Sequence, residues 1–227
     1  MSKSKAIIWG AGGAIGGALK KKLEEEGWEV TPVVHGLSDD LESAVEANAG
    51  DPASVQTAVV EISQRVDEVD LWIYAAGDIM HAELAKMEPS DWQRILNANL
   101  TGPFLALNSS MPLLRDDAAI LIVGVQQERL RLPGLSAYAA AKAGLEALSD
   151  TLRKEQRGHQ VLLIRPAAVR TSFWEKVPFS MPKGALEPEA LSDSIYNAYQ
   201  DGKQGTLDLW NGWERKNADD DNLVDSP

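Results

Sequence analysis

Short apolar runs of strand length alternate with helix-length amphipathic patterns along almost the whole chain. Lys5 to Trp9 reads as a buried strand and Ala14 to Glu26 as a helix. In that helix Ile15, Leu19 and Leu23 share one face, while Lys20, Lys21 and Lys22 pair with Glu24, Glu25 and Glu26 at i,i+4. Trp28 to Val34 is a second strand and Ser43 to Ala47 a short third one. Asp51-Pro52 is a helix start, an N-cap side chain followed by proline at the first helical position. Val55, Val59, Ile62 and Val66 form the apolar stripe behind it. Asp70 to Ala75 is a strand. Helical segments run from Pro89 to Leu114, interrupted near Gly102-Pro103. Ala118 to Val123, Val161 to Ile164 and Thr206 to Trp210 read as further strands, and Ser136 to Arg157 and Pro188 to Tyr199 as helices. Strand and helix thus alternate about seven times, which predicts an α/β fold: a parallel sheet with helices on both faces.

The 227 residues fit one domain, expected over 1–216, and 44% hydrophobic residues can fill its core. The tail, 217–227, carries Asp219, Asp220, Asp221 and Asp225 with no base, and is expected to be disordered. Without cysteine there is no disulfide framework, zinc-thiolate site or thiol nucleophile. His35, His81 and His159 are too scattered for a metal cluster, so no metal is expected. A net charge of −12 argues against broad nucleic-acid binding. No apolar run reaches the ~18 residues of a membrane span, and the start does not read as a signal peptide. The expectation is a soluble cytoplasmic protein with no membrane or nucleic-acid partner.

Between the first strand and the first helix lies Trp9-Gly10-Ala11-Gly12-Gly13-Ala14-Ile15-Gly16-Gly17. Glycines there permit a tight turn and let the backbone approach a pyrophosphate, while the helix start offers free N–H groups and a positive dipole. The alternative is a plain flexible turn. The residue closing strand two reads the cofactor ribose, an acid selecting NAD and a base accommodating a 2′-phosphate. That position is Val34, followed by His35. Neither is an acid, so the expected cofactor is NADP, with His35 and Ser38 facing the phosphate, and NAD is the alternative.

Tyr138 and Lys142 lie four apart on a helix and so share a face. A phenol, with a pKa near ~10, is a poor acid at neutral pH. A neighbouring ammonium lowers that pKa and makes it a workable proton donor for carbonyl reduction.

With these two residues in view, the chain resembles the short-chain dehydrogenase/reductase family over about residues 5–210. Five markers come in order: Gly10, Gly13 and Gly16; Tyr74-Ala75-Ala76-Gly77; Asn99-Leu100-Thr101-Gly102-Pro103-Phe104; Tyr138 with Lys142; and Pro166-Ala167-Ala168-Val169-Arg170-Thr171. The resemblance implies a doubly wound, seven-stranded Rossmann fold. It makes Tyr138 the proton donor, Lys142 the residue that binds the nicotinamide ribose and depresses the Tyr138 pKa, and Asn99 the holder of a relay water. Gly10, Gly12, Gly13, Ala14, Ile15, Gly16, His35, Asn48, Ala75, Ala76 and Gly77 would line the dinucleotide. Pro166, Ala168, Val169 and Thr171 would meet the nicotinamide end. It also implies a homodimer or homotetramer, with Ala139, Ala141, Ala143 and Leu145 offering a small, apolar packing face.

One departure is large. Val125 stands where the family has a catalytic serine, and valine cannot hydrogen-bond a carbonyl. Gln126 or Ser136 could substitute, the substrate could need less help, or the protein could be a catalytically silent NAD(P)-binding sensor or scaffold. The dihydropteridine reductase branch also lacks that serine. It shares the short stretch between strands two and three, here His35 to Glu42, a turn like Gly10 to Gly16, and a Pro-Gly like Pro133-Gly134. Against it, that branch keeps an Asp where this chain has Val34. A quinonoid ring accepts a hydride readily, so the expected substrate is a small carbonyl or quinonoid, pterin-like acceptor. Val125, Gln126, Phe173 and Trp174 are its candidate contacts, the last two within an irregular segment from Ser172 to Leu186 that reads as a lid.

Overall fold

A computed structural model describes residues 3–37, 41, 43–126 and 131–210. The acidic tail, Trp213 and the proposed phosphate contact Ser38 lie outside the described residues. Seven strands, β1 (Lys5–Trp9), β2 (Glu29–Val34), β3 (Val45–Glu46), β4 (Val69–Tyr74), β5 (Leu114–Val123), β6 (Gln160–Pro166) and β7 (Gly205–Leu209), form one parallel sheet. Its order is β3-β2-β1-β4-β5-β6-β7. The helices are α1 (Ala14–Glu25), α2 (Pro52–Ser63), α3 (Pro89–Leu96), α4 (Gly102–Ser110), α5 (Ser136–Glu155) and α6 (Pro188–Gln200). The expected doubly wound fold is the observed one.

Central strands are apolar on both faces because both are covered. On one side Ile7, Trp9, Trp72, Tyr74, Ile120 and Leu163 meet Val55, Ile62, Ala106 and Leu145 of α2, α4 and α5. On the other, Ile8, Leu71, Ile73, Leu121 and Ile164 meet Leu19, Leu23, Leu191 and Ile195 of α1 and α6. Asp51 caps α2 as expected, its side chain accepting the Ala53 N–H at 3.0 Å, with Pro52 in the first turn. A cap of this kind contributes about 1 kcal/mol.

Three details differ from the expectation. The third strand is only two residues, and Ser43 before it has φ +62°. β5 begins four residues early, at Leu114, where Arg115 pairs with Glu68 at 2.8 Å, a polar start with no apolar signal to read. Between α3 and α4 the chain makes a π turn, Asn97–Thr101, and Pro103 falls in the first turn of α4, where no N–H is needed. The interruption therefore lies before Gly102 rather than at the proline.

Among the described residues, no helix is long and apolar enough to cross a membrane. Ala141 and Leu145, expected on an outer packing face, are buried in the core at 0% and 1% exposure. The exposed stripe of α5 is instead Ala140, Ala143 and Ala147.

Candidate active site

The sheet order reverses between β1 and β4, and the strand ends there splay apart to leave a crevice. At its floor the β1 turn packs on the β4 turn. Gly10 has φ +88°, and a Cβ on it would lie 2.6 Å from the Ala76 Cα. Only glycine meets both conditions. Gly10 N–H donates to the Val33 carbonyl at 2.8 Å, which ties the turn to β2. Gly13 is the N-cap of α1 and has no side-chain cap, so the first N–H groups of the helix face the crevice without a protein partner of that kind.

The crevice opens into a cavity of about 1340 Å³ that runs from this turn to the end of α5. Gly10, Gly12, Gly13, Ala14, Ile15, His35, Asn48, Ala75, Ala76 and Gly77 line one part of it. Tyr138, Lys142, Pro166, Ala168, Val169, Thr171, Val125, Gln126, Phe173 and Trp174 line the rest. Of the residues expected in the site, Gly16 and Asn99 do not reach its wall. Gly16 sits beneath the Gly10 carbonyl. Asn99 is fully buried behind Gly77.

Asn99 stands in the π turn, where the wider coil carries its side chain toward the β4 loop. Its Nδ2 donates to the Asp78 carbonyl at 2.7 Å and to Ile95 at 2.9 Å. Its Oδ1 is buried and finds no partner among the described residues. A Cβ on Gly77 would lie 2.8 Å from that oxygen, so a side chain there would close the approach to it. The Tyr74 hydroxyl donates to the Ala98 carbonyl at 2.9 Å and props the same turn.

Tyr138 and Lys142 are each 7% exposed, one turn apart on α5. Lys142 Nζ donates to the Val123 carbonyl at 3.1 Å and lies 5.7 Å from the centre of the Tyr138 ring. Burial pushes the Tyr138 phenol above its ordinary value and Lys142 down to about 8. Desolvation, which disfavours both charged forms, outweighs the lowering of the phenol expected from the ammonium. The phenol keeps its proton, the state a general acid needs.

Around the chemical end, the two polar candidates to replace the missing serine separate. Gln126 is 2% exposed and lines the cavity. Its Nε2 lies 3.5 Å from the Arg165 carbonyl and its Oε1 has no partner among the described residues. Ser136 instead lines a different cavity of about 500 Å³, beside Leu84 and Leu132. Val34 packs into the core under Gly12, 3.5 Å from where its Cβ would stand, while His35 is exposed at the rim. Asn48 Oδ1 accepts the Gly50 N–H at 3.0 Å, leaving its NH₂ for a ligand. Trp174 Nε1 donates to the Val169 carbonyl at 2.8 Å, which fixes the expected lid segment to the end of β6. Phe179 packs edge-on against His81, ring centres 5.8 Å apart.

Sequence reasoning gave Tyr74 no role beyond its place in a family marker, and missed Asp78, Arg94 and Lys176. Tyr74 reads as one more core aromatic. The other three meet only in space: Asp78 pairs with Arg94 of α3 and, at 2.7 Å, with Lys176 of the lid segment.

Residues 4–180 match the family model described as short chain dehydrogenase. An uncharacterized oxidoreductase of Staphylococcus epidermidis is 24% identical over 208 residues, spanning 85% of this chain and 89% of that protein. A 3-oxoacyl-[acyl-carrier-protein] reductase of Thermotoga maritima is 27% identical over 198 residues, spanning 79% and 80%. Among solved structures, a short-chain dehydrogenase/reductase from Serratia marcescens superposes with a TM-score of 0.83 at 21% identity, covering 92% of this chain and 97% of that one. A 3-ketoacyl-(acyl-carrier-protein) reductase from Brucella melitensis, complexed with NADH, gives 0.80 at 21% identity, covering 91% and 96%.

Proposed function

The chain belongs to the short-chain dehydrogenase family, and from that premise we propose that it reduces a small carbonyl or quinonoid, pterin-like acceptor with a nicotinamide dinucleotide, Tyr138 giving the proton. The observation that carries this reading is the meeting of a buried, protonated phenol and a buried amine with an uncapped, glycine-lined helix start in one cavity. The site fits such a cofactor: the Gly10 turn is a cradle that a Cβ would fill, and it leads into an uncapped helix start.

When bound, the nicotinamide supplies the hydride. The α1 N-terminus and the Gly12-Gly13 backbone would hold the pyrophosphate. Asn48 NH₂ would meet the adenine, and Lys142 the nicotinamide ribose. Val169 and Thr171 would flank the carboxamide. His35 at the rim supports NADP over NAD, and titrations with NADPH and NADH decide between them. Tyr138 O–H would donate to the carbonyl oxygen, or to a ring nitrogen of a quinonoid pterin, as charge develops there. The proton would be replaced through the Lys142 ammonium and a water at Asn99 Oδ1. Where the family has a serine, Val125 offers no donor, so Gln126 is the polar group left to orient the acceptor.

Oxidation of NADPH or NADH by a panel of ketones, quinones and quinonoid dihydropterin tests the reading. Tyr138→Phe should lower kcat by about 100-fold or more, the usual scale of general acid catalysis, with cofactor binding unchanged. Full turnover in that variant would remove Tyr138 from its role. Tight dinucleotide binding without turnover of any acceptor would favour a sensor, the reading that Val125 supports.

A further inference from the structure

Asp78 stands where two walls of the cavity meet and is bonded to both. Its backbone carbonyl holds Asn99 through the 2.7 Å bond from Nδ2. Its carboxylate Oδ1 accepts the N–H of Ile79 at 2.9 Å, which fixes its orientation. The same oxygen takes Lys176 Nζ at 2.7 Å, from a residue 98 positions further on. Its other oxygen pairs with Arg94, and Arg94 also meets Asp91 at 3.5 Å. The cluster holds two cations and two carboxylates, so Asp78 keeps a partner in Arg94 when Lys176 leaves.

Lys176 belongs to the segment 172–186, much of which lines the cavity. Three residues before it, Phe173 comes within 3.7 Å of where a Gly77 Cβ would stand, next to the Asn99 amide. Lys176 Nζ itself lies 5.8 Å from the Phe173 ring. Trp174, the residue after Phe173 in the same short turn, Ser172–Lys176, is tied to Val169. The hold on Lys176 therefore acts with that on Trp174 in setting how Phe173 lies over the wall that holds Asn99.

We propose that Asp78 is a positioning residue. Through Lys176 it latches segment 172–186 onto the Asn99 wall, so that Phe173 is held more firmly over the reacting groups while the ion pair is made. The latch rests on the cavity being the reaction site proposed above. The Lys176 side chain is 51% exposed and that of Asp78 19%. Such a pair is weak and screened by salt, which suits a closure that must reopen at each turnover.

Amide hydrogen exchange of segment 172–186 on the full chain, with and without NADPH, tests this directly. In the wild type, exchange should quicken between low salt and about 1 M NaCl. Lys176→Met should exchange roughly five-fold faster at low salt and lose the salt response, whereas Lys176→Arg should keep the wild-type pattern. Asp78→Asn retains the carbonyl for Asn99 and an acceptor for Ile79, and should behave like Lys176→Met. With any acceptor the panel reduces, Lys176→Met should raise KM more than it lowers kcat. Wild-type exchange and salt response in Lys176→Met would overturn the latch. Because exchange needs no turnover, that result stands apart from the test of the reaction by Tyr138→Phe.

Discussion

Lys142 carries the clearest consequence at the scale of single residues. Its pKa falls from 10.5 to about 8 because burial penalises the ammonium. Between those values the folded state binds fewer protons than the unfolded chain, so stability rises with pH from about 8 to 10. Below pH 8 the whole penalty is present, about 3 kcal/mol at 1.36 kcal/mol per pKa unit. Above pH ~10 the slope reverses, because the buried Tyr74 and Tyr138 phenols hold protons that the unfolded chain releases. Lys142→Met should raise the thermal midpoint at pH 7, flatten the rise between pH 8 and 10, and abolish turnover. Denaturation scans across that range check the first two. The Tyr138 and Lys142 pair was legible in the sequence because its spacing is local to one helix turn. The direction of the phenol's shift was not, since it depends on burial by residues from the loop after β4, α3 and the lid. Asp78 and Lys176 were illegible for a related reason: each is an ordinary charged loop residue until the fold sets them 2.7 Å apart.

At the scale of elements, the π turn between α3 and α4 decides where Asn99 points. A continuous α-helix through Asn97–Thr101 would rotate that side chain away from the β4 loop. The Tyr74 hydroxyl, packed against Trp72 at 6.0 Å between ring centres, is the prop that reaches into this turn. Tyr74→Phe should therefore lower stability by about 1–3 kcal/mol, the range for a buried hydrogen bond lost with its partner left in place. It should lower kcat as well, because the turn that carries Asn99 loses a prop next to that residue. Thermal melts and steady-state rates on the same preparation check both. Apolar periodicity showed the helices on either side. It could not show an extra residue in the coil, because the helices on either side, Pro89–Leu96 and Gly102–Ser110, are too short for a shift of phase between their stripes to be read. The two-residue β3 was read too long for the opposite reason: alternating small residues around Val45 look like a strand whether or not they pair.

At the scale of the whole molecule, the alternation of elements was enough to specify the sheet and both helix layers, because the central strands are buried on two faces and read as largely apolar. The outer surface was less legible. Ala139 to Leu145 is rich in small residues on every side, and only the fold tells which of them face outward. We propose that the exposed stripe Ala140, Ala143 and Ala147 packs against its copy in a homo-oligomer. Ala143→Arg should then shift the sedimentation coefficient to that of a single chain, and an unchanged assembly would point to another face.

The pairing of β1 with β4 has a consequence for how the protein comes into being. Every pairing described in the sheet is parallel, so no strand meets its neighbour through a hairpin. During synthesis β1 must wait for β4 to emerge, and β4 for β5. The Gly10 turn acquires its shape only against the Ala76 backbone, which arrives with β4. A nascent chain that stops short of this point has no nucleotide cradle to be rescued by ligand, and its apolar strand edges lie open meanwhile. Chaperone protection should therefore matter most before β6 and β7 emerge to cover the β5 edge, and little afterwards.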